Sequence, residues 1–97
     1  MLMYGTIARM KVKPGMVDEL LAWGEERETE NPGDGIMLVY QSDNDPNELY
    51  LVIAAPSREA YRARSETPEQ HEQFLKMMEY LESEPEWHDG EVIGSRL

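Results

Sequence analysis

The sequence has no cysteine, one phenylalanine, two histidines and only three lysines among its 97 residues. Without cysteine there is no disulfide, no thiolate metal site and no cysteine nucleophile, a composition compatible with a reducing cytoplasm. The two histidines, His71 and His88, belong to no His-x-His or His-Glu-x-x-His pattern, and the many acids form no regular calcium loop. No structural metal is expected. Gly-x-Ser-x-Gly, the phosphate loop and the dinucleotide fingerprint are also missing; Gly33-Asp34-Gly35 follows a helical pattern instead of a strand, and a turn accounts for it. No cofactor is therefore expected. No apolar run nears the roughly 18 residues that cross a bilayer, and no basic stretch leads into an apolar one at the N-terminus. The expectation is a soluble, cytoplasmic protein with no membrane partner.

Positive charge is scarce too. Nine Lys and Arg face 20 Asp and Glu, for a formal charge of −11, so the chain repels phosphate backbones and anionic lipid, and nucleic acid is excluded as an expected partner. The acids gather at Glu25, Glu26, Glu28 and Glu30 and again from Glu79 to Glu91, which reads as a solvated helix face followed by a solvated loop. What is present is enough for one core: 40% of residues are hydrophobic, and this length suits a single domain over residues 1–97. A domain of this size is marginally stabilised by its own interior, so a partner would help.

Along the chain, Met3 to Val12 is apolar and β-prone and stops at Lys13-Pro14-Gly15, predicting a first strand. Val17, Leu20, Leu21 and Gly24 recur at helical spacing, predicting an amphipathic helix from Pro14 to Glu30, with Pro14 in its first turn and Asn31-Pro32-Gly33-Asp34-Gly35 ending it. Ile36 to Gln41 and Leu49 to Ala55 flank a polar turn and predict a hairpin. Ser57 is placed to cap a short helix to Ser65. Thr67-Pro68-Glu69-Gln70 starts a longer one to Glu82, with the stripe Phe74, Leu75, Met78 and Leu81. A loop from Glu82 to Glu86 and a short last strand from Glu91 to Ser95 complete the order.

That order, βαββαβ with the second helix broken in two, predicts an α+β, ferredoxin-like sheet with helices on one face. In the middle strands both alternating sets are apolar, Ile36, Leu38 and Tyr40 against Met37 and Val39, and Leu49, Leu51 and Ile53 against Tyr50, Val52 and Ala54. A sheet with one wet face alternates apolar with polar. Both faces are thus expected to be covered, the second by an identical subunit in a homodimer.

The first strand ending in Lys13-Pro14-Gly15, the helix opening Met16-Val17-Asp18-Glu19-Leu20-Leu21, the hairpin, Ser57-Arg58-Glu59-Ala60-Tyr61 and Thr67-Pro68-Glu69-Gln70-His71 together resemble the antibiotic biosynthesis monooxygenase (ABM) family over nearly the whole chain. The resemblance implies a dimeric α/β barrel with a cleft between helices and sheet in each subunit. Its members include cofactor-independent oxidases of aromatic polyketide-like substrates, haem-degrading enzymes and isomerases. The haem-degrading branch carries an Asn in the first strand and a Trp in the first later helix; this sequence has neither, which disfavours haem degradation. Where the family commonly has an aromatic before that helix, this chain has Ala55-Pro56.

Two functions from different classes follow. One is a cofactor-independent monooxygenase acting on a small polyketide- or quinol-like aromatic; the other is a non-catalytic, small-ligand-binding or interaction dimer. His71, three and four residues before Phe74 and Leu75, is the candidate base, since an imidazole titrates near neutrality and the resemblance places a histidine early in this helix; the alternative is a partly buried structural histidine. Candidate ligand contacts are Trp23, Tyr40, Tyr50, Tyr61, Phe74 and Met78; core packing is the commoner use of such residues, Trp23 as a flanking core tryptophan and the tyrosines with one satisfied hydroxyl.

Overall fold

The protein is described by a computed structural model covering residues 2–30 and 33–96. Its elements are β1 (Tyr4–Lys11), α1 (Val17–Glu30), β2 (Ile36–Gln41), β3 (Glu48–Ala55), α2 (Arg58–Ser65), α3 (Pro68–Met78) and β4 (Glu86–Glu91). The four strands form one antiparallel sheet in the order β2-β3-β1-β4. This is the ferredoxin-like α+β arrangement expected from the element order. No helix among the described residues is long and apolar enough to cross a membrane.

Strand register fixes the two faces of the sheet, because side chains alternate along each strand. Thr6, Ala8 and Met10 share one face with their β3 partners Ile53, Leu51 and Leu49. Met10, Val12, Leu20, Leu49 and Leu81 form the buried cluster there, with Met16, Val17, Trp23, Met77 and Tyr80 packed against it. The core thus sits at the end of the sheet where Val12 bridges Leu81. The opposite face carries Ile7, Arg9, Leu38, Tyr40, Tyr50 and Val52, and no helix among the described residues lies over it.

Both predicted caps form. Ser57 Oγ accepts from Ala60 N at 3.1 Å, and Thr67 Oγ1 accepts from Gln70 N at 3.2 Å with Pro68 in the first turn. The hairpin turn is held by Asp45, whose Oδ1 accepts from Asn47 N at 2.9 Å and whose carbonyl accepts from Glu48 N at 3.0 Å.

Four expectations require correction. Pro14 is not in the helix: Gly15 has φ +80°, a left-handed conformation that no helix interior tolerates, so Pro14 and Gly15 make a turn and α1 starts at Val17. The α3 helix stops at Met78, not Glu82, because Glu79, Tyr80 and Leu81 each donate to the carbonyl three residues back and tighten the chain into the Leu81 bridge. Leu75 is 54% exposed, while Gln73 and Met77 are half-buried, so the inward stripe is rotated from the one read in the sequence. The last strand is Glu86–Glu91, which makes the expected acidic loop the sheet edge and carries Trp87 and His88 into it. Of the expected strand at Glu91 to Ser95, only Glu91 is paired as a strand, and Val92 N adds one bond to Met3 O. Asn31 and Pro32 of the expected turn lie outside the described residues; Gly35 beyond them has φ +93°.

Candidate functional site

The helices meet the sheet through aromatic side chains. Tyr61 of α2 packs edge-on against Tyr4 of β1, with ring centroids 5.4 Å apart, and Arg58 lies 4.7 Å over the other ring of the pair, that of Tyr4. Arg58 also pairs with Glu91 of β4 at 3.6 Å. Phe74 of α3 reaches Trp87 of β4 at 6.2 Å. Between these contacts the strand floor is Thr6 and Ala8, both buried, with Asp89 and Trp87 directly across from them on β4. Tyr61 donates from its hydroxyl to Asp89 Oδ1 at 3.4 Å. Burial first, then the Asp89 carboxylate, pushes the Tyr61 phenol above its ordinary pKa, while the Thr6 hydroxyl beside it acts in the opposite sense. The phenol is accordingly a proton donor at neutral pH.

The predicted residues divide into three groups. Tyr61, Phe74 and Met78 lie where helices and sheet meet, all half-buried. Trp23 sits at the margin of the core, tilted on Tyr80 at 5.9 Å, and also lines a shallow recess of about 310 Å³ between α1 and α3, with Arg27, Glu72 and Lys76 among its other walls. A second recess of about 270 Å³ adjoins it, sharing Glu69 and Gln73. Tyr40 and Tyr50 are not with either group. Register puts them side by side on the helix-free face, 5.8 Å apart edge-to-face, with Tyr50 donating to Glu48 at 2.8 Å.

His71 is exposed, and its ring makes no hydrogen bond among the described residues. It lies on the same exposed flank of α3 as Leu75. The residues that sequence reading missed are Thr6 and Asp89, and with them the contact of Trp87 with Phe74. Thr6 fits any strand, and Asp89 and Trp87 fell in a segment read as loop. The available signal was the Trp87-x-Asp89 spacing, which points both side chains to one face once the segment is a strand.

Around the helix-free face run charged contacts. Arg9 pairs with Glu48 at 3.2 Å and with Glu86 at 3.7 Å, and Glu86 contacts His88 at 2.9 Å. Lys11 and Asp45 pair at 2.6 Å. The Arg9 hydrogen bond, then that from Tyr50, lowers the Glu48 pKa, and the Lys11 hydrogen bond, then that from Asn47 N, lowers that of Asp45. Among the described residues no group of three or more His, Asp or Glu side chains is arranged to hold a metal ion.

With this geometry, the chain superposes on solved structures over almost its full length. A protein from Chloroflexus aurantiacus J-10-fl, provisionally named an antibiotic biosynthesis monooxygenase, aligns with TM-score 0.76 and 26% identity over 97% of this chain and 96% of its own. The chain has the ABM fold. A conserved protein from Methanosarcina mazei Go1 aligns with TM-score 0.77 and 24% identity, covering 93% of this chain and 92% of its own. Rv0793 from Mycobacterium tuberculosis aligns with TM-score 0.76 and 20% identity over 96% and 97%. No family model and no curated protein matches the sequence. The ABM resemblance read from the sequence therefore stands on the fold that these structures share with it over nearly their whole length.

Proposed function

We propose that the protein is a homodimeric, cofactor-independent monooxygenase of the ABM type, one domain per subunit, that oxidises a small electron-rich aromatic between its helices and sheet. The observation that carries this reading is the near full-length likeness to the Chloroflexus protein of that name. The boundary lined by Tyr61, Phe74, Met78 and Trp87 supplies the apolar, aromatic surface that a flat polyketide- or quinol-like molecule needs. Removing a proton from such a substrate gives a carbanion that can pass an electron to O₂. In the completed reaction a ring CH₂ becomes a ketone, one oxygen atom enters that ketone and the other leaves as water. The protein has to bind the aromatic, exclude water and take one proton, and His71 is the proposed base.

A second reading, a ligand-binding dimer without catalysis, is favoured by the exposure of His71 in the protomer. Oxygen uptake with anthrone- and quinol-type compounds, measured beside their binding, separates the two. Uptake stoichiometric with product supports the monooxygenase; binding without uptake supports the second reading. In the first case we expect His71→Ala to lose at least tenfold in turnover with its melting temperature unchanged, since an exposed side chain contributes within about 0.5 kcal/mol of stability. A destabilised but fully active His71→Ala protein would remove His71 from the mechanism.

A further inference from the structure

Thr6 is 4% exposed, yet its Oγ1 has no hydrogen-bond partner among the described residues. Such a hydroxyl is uncommon, because a buried polar group without a partner costs stability comparable to a lost hydrogen bond. It lies close enough to the Tyr61 phenol to influence its ionisation, but the geometry falls short of a bond. Tyr61 instead donates to Asp89, the residue paired with Thr6 across β1 and β4, over 3.4 Å. That is long beside the 2.5–2.7 Å usual for a hydroxyl on a carboxylate. Three oxygens from α2, β1 and β4 therefore converge with one weak bond among them.

We propose that Thr6, Tyr61 and Asp89 form the recognition site for a hydroxyl group on a neutral aromatic ligand. The Thr6 hydroxyl donates to the ligand oxygen, the ligand hydroxyl donates to the Asp89 carboxylate in place of the long Tyr61 bond, and the Tyr61 ring swings to stack beside the ligand. The order of donors and acceptors fixes the class. A carboxylated aromatic would bring its negative charge against the Asp89 carboxylate, in a chain of formal charge −11. An ether has an acceptor for Thr6 and no proton for Asp89. This inference rests on the proposed binding of an aromatic between helices and sheet, and supplies the polar contact that orients it.

Equilibrium dialysis of the intact protein against 1-naphthol, 1-methoxynaphthalene and 1-naphthoate tests it. We expect 1-naphthol to bind at least tenfold tighter than the methyl ether, with 1-naphthoate weakest. Asp89→Ala, which removes the acceptor at an exposed position, should reduce the naphthol-to-ether preference to about twofold while keeping ether affinity, whereas Thr6→Val, which replaces the hydroxyl by a methyl of the same shape, should weaken naphthol and ether alike by at least threefold. Circular dichroism establishes that both variants are folded. A preference unchanged in folded Asp89→Ala overturns the proposal, and naphthol and ether affinities both unchanged in folded Thr6→Val overturn it too and make the Thr6 hydroxyl purely structural. Equal binding of naphthol and ether by the unaltered protein also overturns it, but leaves the aromatic-binding reading standing. Failure to bind any of the three overturns that reading and this one with it.

Discussion

Lys11 and Asp45 show how a single contact sets a titration in this molecule. Asp45 sits in the hairpin turn with one oxygen bound by Asn47 N and the other by Lys11 Nζ, and both bonds favour the ionised carboxylate. Its pKa in the folded protein therefore lies below the unfolded value of about 3.9. A depressed folded pKa means that the stabilisation is complete above about pH 4 and is lost as the pH falls through the lowered folded value. Both side chains are substantially exposed, so the contribution is small and weakens with salt. We expect Lys11→Met to raise the Asp45 pKa towards the ordinary aspartate range in a carboxyl-detected NMR titration. An unchanged value would mean that the Asn47 amide alone holds it down.

At the scale of elements, the starts of α2 and α3 were the most legible feature, because capping chemistry is local, whereas the start of α1 was misplaced at Pro14. Thr67 both accepts from Gln70 N and donates to Arg64 O at 2.9 Å, so one hydroxyl ends α2 and begins α3. Thr67→Ala should cost about 1 kcal/mol in urea unfolding; a loss within error would show that Pro68 and packing suffice. The last strand was illegible for an equally physical reason. Glu86-Trp87-His88-Asp89-Gly90-Glu91 is an edge strand exposed at every position, held by backbone pairing to β1 and needing no apolar alternation. Val92 and Ile93, which look more strand-like, lie past its end, and Ile93 is 90% exposed. The candidate site suffered from the same ambiguity. Where both faces of β2 and β3 are apolar, pattern alone gives no parity, and only the register shows that Tyr40 and Tyr50 share a face with Arg9 and not with Met10. The rotation of α3 likewise follows from its tight exit into the Leu81 bridge, a tertiary constraint invisible in an isolated helical stripe.

For the whole molecule the decisive feature is the face that no helix covers. Leu38, Val52 and Ile7 lie in one cross-strand row, continued by His88, and the next row runs Tyr40, Tyr50, Arg9 and Glu86. Ile7, Leu38 and Tyr40 are 48%, 59% and 63% exposed, an apolar centre with a charged rim, the composition of a subunit interface. We therefore expect two subunits in solution, packed through this face. The two valines of the hairpin now separate the possibilities. Val52 sits at the middle of the row, so in a dimer Val52→Asp buries an unpaired carboxylate and should yield a folded monomer, since the same position is only half-buried in the protomer. Val39 pairs with Leu51 on the helix side of edge strand β2 and is 45% exposed, so Val39→Asp should remain dimeric. Sedimentation velocity at micromolar concentration, with circular dichroism to confirm folding, reads both. A one-subunit mass for the unaltered protein would end the dimer reading, and a two-subunit mass for Val52→Asp would show that this face stays wet and that the subunits meet elsewhere.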